Sequence, residues 1–197
     1  MKLYGFERPT RATRVRWALE EAGVAYEHVV ASPHDPELRA LNPLGKVPCL
    51  VDGELILTES AACCTWVGTR SPDSGLVPTD PHERARYDMW LSFFTTELEQ
   101  PMWLKAKQKF AWPREHRCPE AIAGAEWDFA RSTEFMEHHL GEGPFLVGDR
   151  FTCADLIGAH TLSWARIAKF EVSERLRAWA APHLARPALA RALKPGA

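Results

Sequence analysis

The 197-residue sequence has no apolar run approaching the roughly 18 residues that a membrane-spanning helix needs. It has no excess of charge of either sign. A formal net charge of −2 gives no electrostatic reason to expect nucleic acid or an anionic membrane as partner. Cysteine is scarce. The five are Cys49, Cys63, Cys64, Cys118 and Cys153, an odd number with no CxxC pair and no metal-ligand spacing. The eight histidines form no HExxH and no i, i+4 pair, so no metal is expected. Met1-Lys2 leads straight into a strand pattern without the apolar core of a signal peptide. These features together predict a cytoplasmic protein whose cysteines are mostly buried small hydrophobes.

An apolar content of 46% in a chain of this length allows one large domain or two small ones. The run Asn42-Pro43-Leu44-Gly45-Lys46-Val47-Pro48-Cys49-Leu50-Val51-Asp52-Gly53-Glu54-Leu55-Ile56-Leu57-Thr58-Glu59-Ser60 organises the rest. Asn42-Pro43 and Gly45 break regular structure, so the run enters on a loop. Val47 to Val51 and Glu54 to Leu57 are short apolar stretches around Asp52-Gly53, which predicts a hairpin closed by a type I′ turn. Pro48 heads the first strand, where it marks either a sheet edge or a cis bond. Thr58-Glu59-Ser60 then opens a helix, and the N–H groups there attract anions. Free backbone at Val47 beside an anion site at Ser60 suits a ligand with amide groups and a carboxylate.

Around this run, Lys2 to Phe6 reads as a strand, Thr10 or Arg11 to Ala22 as a helix, and Tyr26 to Val30 as a second strand. Val15, Ala18, Leu19 and Ala22 lie at core-facing spacing, with Gly23 as the stop. A strand–helix–strand unit predicts parallel pairing, to which the hairpin adds two antiparallel strands. Ser71 to Pro81 has linker composition. Beyond it every pattern is helical: Glu83 to about Lys109 with Pro101 as a kink, Cys118 to Leu140, Thr152 to Lys169, Ser173 to Ala181 and Ala188 to Leu193. Thr152 and Asp155 form a capping box, preceded by Phe151 as a staple onto Leu156.

Two motifs carry a family resemblance. "NPLGKVPCLVDGELILTESAA" resembles the glutathione-binding half of the soluble glutathione S-transferases. "PFLVGDRFTCADL" is similar to the start of the buried helix in their C-terminal domain. The resemblance implies an α/β plus all-α protein: a thioredoxin-like domain over residues 1–72, a linker over 73–82, and an all-helical domain over 83–197. It implies glutathione as co-substrate, with Val47 and Pro48 on its cysteinyl backbone, Glu59 and Ser60 on its γ-glutamyl end, and Lys46 near its glycyl carboxylate. It also implies a homodimer and a small hydrophobic electrophile as second substrate, the chemistry of detoxification.

Such chemistry needs glutathione as a thiolate, although a free thiol titrates at about 8.5. Relatives place a Tyr, Ser or Cys near the first strand for this. Here the loop reads Phe6-Glu7-Arg8-Pro9-Thr10-Arg11-Ala12-Thr13, and the usual serine or cysteine is missing. Thr10 reads either as a hydroxyl donor at a helix start or as a plain cap. Arg11 reads either as a cation near the sulfur or as a solvent-facing side chain. Thr13 lies a turn further on, and Tyr4 reads as a packed aromatic. Without a loop cysteine, chemistry through a protein thiol is disfavoured. Trp90, Phe93, Phe94, Trp103, Phe110 and Trp112 crowd the first long helix, mostly as core or subunit contact. Trp103 and Phe110, after Pro101, are the candidate pocket walls. Three readings stay open: a glutathione transferase, a glutathione-binding carrier that has lost thiolate activation, and a dimerisation module.

Overall fold

The computed structural model describes residues 1–194; the last three residues of the expected helical region fall outside it. Four strands come first: β1 (Lys2–Gly5), β2 (Glu27–Val30), β3 (Cys49–Asp52) and β4 (Leu55–Thr58). They form one sheet in the order β2-β1-β3-β4. β1 runs parallel to β2 across helix α1 (Ala12–Ala22), and β3 and β4 add antiparallel. The two-residue period of the strands sorts their side chains. Leu3 and Leu50 face α1 and α3 (Ser60–Arg70), while Tyr4 and Cys49 pack with Leu38 of α2 (Pro36–Leu41) on the opposite face.

The hairpin turn differs from expectation by one residue. Asp52 pairs with Leu55, so the loop is Gly53-Glu54 rather than Asp52-Gly53. Only Gly53 has positive φ there (62°), and a type I′ turn needs it at both central residues. Positive φ at the first central position alone is the pattern of type II′, with glycine again the reason it is accessible.

After a short 3-10 turn at Pro72–Ser74, the chain is helical. The helices are α4 (Pro81–Phe93), α5 (Glu99–Ala106), α6 (Ala121–His139), α7 (Cys153–Ile167), α8 (Glu174–Leu184) and α9 (Pro187–Ala192). The stretch of linker composition is not loose: Leu76 is buried, and its carbonyl accepts from the Cys153 N–H at 2.9 Å. The expected kink at Pro101 takes another form. A π turn at Phe94–Leu98 joins α4 to α5, and a second at Lys107–Ala111 ends α5. Proline's missing N–H and ring clash disturb the ladder one turn earlier, where the wider turn sits.

One apolar cluster runs from Leu3, Val15 and Leu50 through Tyr87, Trp90 and Phe94 to Ile157 and Trp179, so the sheet and the helices share a core. Among the described residues no helix is long and apolar enough to cross a membrane. α7 lies at the centre and is buried on every side from Cys153 to Leu162. Gly158 is required there, because a Cβ would lie 2.7 Å from the Phe94 ring.

The capping box forms as expected at the head of α7. Asp155 Oδ2 accepts from the Thr152 N–H at 2.8 Å and its hydroxyl at 3.0 Å, while Oδ1 accepts from the Leu146 N–H at 2.8 Å. Burial pushes its carboxyl up to about 6, with these bonds holding it down from higher values, so it is ionised at neutral pH. Asp155→Asn turns an amide donor onto the backbone N–H of Leu146 or Thr152, neither of which can accept. It should destabilise the fold by about 3 kcal/mol at pH 7, read as a lowered urea midpoint. A loss under about 1 kcal/mol would show that the box contributes little beyond a helix cap.

Candidate active site

The strand registers gather the candidate residues at one end of the sheet. Tyr4 pairs with Cys49, and Cys49 with Thr58. The Phe6–Arg11 loop, Val47-Pro48 and Glu59-Ser60 therefore all leave the sheet at that end. Asn42 fixes the loop before β3: its side-chain amide donates to the Lys46 carbonyl at 2.9 Å and its Oδ1 accepts from the Leu44 N–H at 3.2 Å. Lys46 projects into solvent. The Val47-Pro48 bond is cis. Val47 lies outside the ladders, which begin at Cys49, and its N–H and C=O enter none of the loop hydrogen bonds among the described residues.

Glu59 is exposed, with φ at 65°. A side chain in that region costs about 1–3 kcal/mol and persists where the surroundings enforce it, often at functional sites. Ser60 makes no side-chain cap on α3. Its buried hydroxyl accepts instead from Nη1 of Arg14 at 3.2 Å.

Arg14 is fully buried and joins the two parts of the chain. Nε donates to Nδ1 of His160 at 3.1 Å, and Nη2 to Thr161 Oγ1 at 2.9 Å and to Glu99 Oε2 at 2.5 Å. The other Glu99 oxygen accepts from Nε of Arg11. The Arg11 guanidinium sits over the Trp103 ring at 5.4 Å and the Trp164 ring at 5.6 Å. Burial alone would push the Glu99 carboxyl up. The two guanidinium groups outweigh it and hold the carboxyl below the usual carboxylate range. His160 goes the other way: burial first, then Arg14 and Arg11, keep it neutral well below its ordinary value.

Thr10 is half-buried beside this cluster. Its hydroxyl oxygen accepts from the Ala12 N–H at 3.2 Å, and its own N–H donates to Thr13 Oγ1 at 3.2 Å. The Thr10 hydroxyl proton has no acceptor among the described residues. Tyr4 is spoken for: its hydroxyl donates to Glu37, a bond that, with burial, pushes it up to about 12. Burial also raises the Cys49 and Cys64 thiols and pushes Cys63 up to about 12. None of the three supplies a thiolate at neutral pH.

Of the two candidate walls, Trp103 lies half-buried under Arg11, facing Trp164. Phe110 is 71% exposed. The second π turn adds residues per turn and shifts Phe110 off the face that Trp103 shares. Neither side chain lines the groove between α4–α5 and α6.

Sequence reasoning missed Arg14, Glu99, His160, Thr161 and Trp164. The available signal was polarity out of place. Arg14 stands four residues before Ala18 on a core-facing stripe, and His160-Thr161 interrupt an otherwise apolar helix. Removing Glu99 should cost about 3–5 kcal/mol, since Arg14 would stay buried without its counter-charge. A carboxyl whose folded pKa is depressed contributes stability above its unfolded value of 4.5 and loses it as pH falls through the folded value. Glu99→Gln should thus lower the urea midpoint at pH 7 and flatten its fall between about pH 5 and 3. An unchanged acid slope would contradict the assignment.

Residues 1–69 match the glutathione S-transferase N-terminal domain family and residues 119–191 a glutathione S-transferase C-terminal domain family. The chain is 34% identical over 189 residues to the glutathione S-transferase-like protein LUC7 of a Fusarium species, covering 89% of this chain and 82% of that one. It is 30% identical over 166 residues to glutathione S-transferase F13 of Arabidopsis thaliana, covering 79% and 76%. Among solved structures, the theta class glutathione S-transferase of Xanthomonas axonopodis pv. citri with glutathione bound superposes with TM-score 0.81 at 29% identity, over 98% of this chain and 96% of that one. A ternary complex of BphK, a bacterial transferase, superposes with TM-score 0.86 at 26% identity, over 98% of each. With both domains matched, and a relative 34% identical over most of its length, this chain belongs to the glutathione S-transferase family.

Proposed function

We propose that the protein is a glutathione transferase that adds the glutathione thiolate to small hydrophobic electrophiles. The observation that carries this reading is the Thr10 hydroxyl, whose oxygen is held by the Ala12 N–H and whose proton is free, next to the half-buried Arg11 cation. In this reading the free N–H and C=O of Val47, beside Pro48, pair with the cysteinyl backbone. Glu59 and Ser60 hold the γ-glutamyl end, and Lys46 meets the glycyl carboxylate. The sulfur then lies at the head of α1. Thr10 donates to it, Arg11 lends its charge, and the helix dipole adds to both. The thiolate attacks the electrophile's carbon, forming a C–S bond, and the leaving group departs with the electron pair. Trp103 walls the side where the electrophile enters; Phe110 stands at the surface beyond it.

The same reading makes the protein a cytoplasmic homodimer that serves detoxification, with residues 1–72 binding glutathione and 83–197 supplying the electrophile pocket. A groove of about 590 Å³ lined by Phe93, Leu104, Phe135 and Arg131 is the surface on which the hairpin side of a second copy would seat.

Ultraviolet titration of bound glutathione tests the chemistry. The bound thiol should titrate at least one unit below its free value, and Thr10→Ala should raise it by about one unit, the worth of one hydrogen bond to a charged sulfur. An unshifted thiol would favour a carrier that binds glutathione without activating it. Light scattering should give twice the 22.2 kDa chain mass, and Phe135→Glu should halve it. A wild-type monomer would remove the dimer from the proposal.

A further inference from the structure

The two arginines of the buried cluster differ in what they have left to offer. Arg14 is fully buried, and its Nε, Nη1 and Nη2 are engaged by His160, Ser60, Glu99 and Thr161. It has no capacity for a ligand. Arg11 uses only Nε, on Glu99, and both terminal nitrogens lack a protein acceptor among the described residues. Its side chain is 31% exposed, whereas that of Arg14 is 0%. Trp103 and Trp164 flank the guanidinium with their ring faces and hold it in place.

The charges do not balance. Arg11 and Arg14 bring two cations, Glu99 one anion, and His160 stays neutral. One positive charge remains, and of the three charged groups Arg11 is the one that solvent reaches, 31% exposed against 0% for Arg14 and 5% for Glu99. A fixed guanidinium fork with two free terminal nitrogens matches a carboxylate bidentately. The indole faces beside it suit a flat, conjugated frame. Glutathione's own carboxylates have other partners in the proposed site, at Glu59-Ser60 and Lys46.

We propose that the second substrate is a planar aromatic or conjugated electrophile that carries a carboxylate, held bidentately by the terminal nitrogens of Arg11 with its frame against Trp103 or Trp164. This rests on the transferase reading and narrows its substrate class. Arg11 is then a specificity-determining residue. The anion anchors the electrophile.

The test compares 3-nitrobenzoate with 3-nitrobenzamide, a pair alike in shape and differing in charge. Binding is followed by tryptophan fluorescence with and without saturating glutathione. The benzoate should bind about ten-fold more tightly, the return on one bidentate charged contact at a half-exposed site. Arg11→Gln should bring the two within about two-fold, and Arg11→Lys should keep part of the difference, having charge without the fork. Equal binding to the wild type overturns the proposal, as does a preference that survives Arg11→Gln. It also falls if Arg11→Gln weakens glutathione and leaves the ratio intact, because the fork would then belong to glutathione. No turnover is needed, so the two readings separate. Failure to bind glutathione sinks the transferase reading, whereas loss of the anion preference sinks only this one.

Discussion

The Arg14 guanidinium is the contact on which the rest depends. It is buried without solvent, and four of its five N–H groups meet acceptors in the protein. Those acceptors come from three separate parts of the chain: Ser60 at the head of α3, Glu99 at the start of α5, and His160-Thr161 in the middle of α7. Each is thereby fixed relative to α1. A buried ion pair of this kind adds little net stability over an apolar replacement, but breaking one side of it is expensive. Its effect is therefore one of register, setting how the sheet and the helical part meet.

That register is what gives the site its parts. The sheet brings three loops to one end because β1, β3 and β4 are neighbours of alternating direction. The helices then supply what the sheet cannot: the Glu99 carboxylate that orients Arg11, and the Trp103 and Trp164 faces that flank it. Neither half holds a complete arrangement of charge without the other. The division of labour between the arginines follows, with Arg14 engaged by protein at every nitrogen and Arg11 left with nitrogens to spare.

Much of this was legible in the sequence because it is written in local chemistry. The hairpin, the proline before it, the helix beginning at Ser60 and the capping box at Thr152 each need only a few consecutive residues, and each is found. The strand–helix–strand unit and the helices of the second half follow from periodicity, and the thioredoxin-like arrangement from the family resemblance. What escaped depends on distant partners or on altered helix phase. Arg14 and Glu99 are 85 residues apart, and nothing local says that the two will meet. Ser60 reads as an anion site at a helix start, and nothing local signals the guanidinium that meets its hydroxyl. Phe110 follows Trp103 by seven residues, and the π turn at Lys107–Ala111 carries it away to the surface. The turn at Gly53-Glu54 slipped by one residue, since Asp-Gly fits more than one turn type.

Arg14 sets the position of Ser60, the serine proposed to hold glutathione, as well as the packing of the two halves. Calorimetry of glutathione binding to Arg14→Lys tests it most directly, because lysine keeps the charge and loses the fork that reaches Ser60, Glu99 and His160 together. The account predicts a folded variant that binds glutathione at least about ten-fold more weakly, the equivalent of roughly 1.4 kcal/mol. A folded variant with wild-type affinity would contradict it, and would leave Arg14 a packing residue with no part in the site.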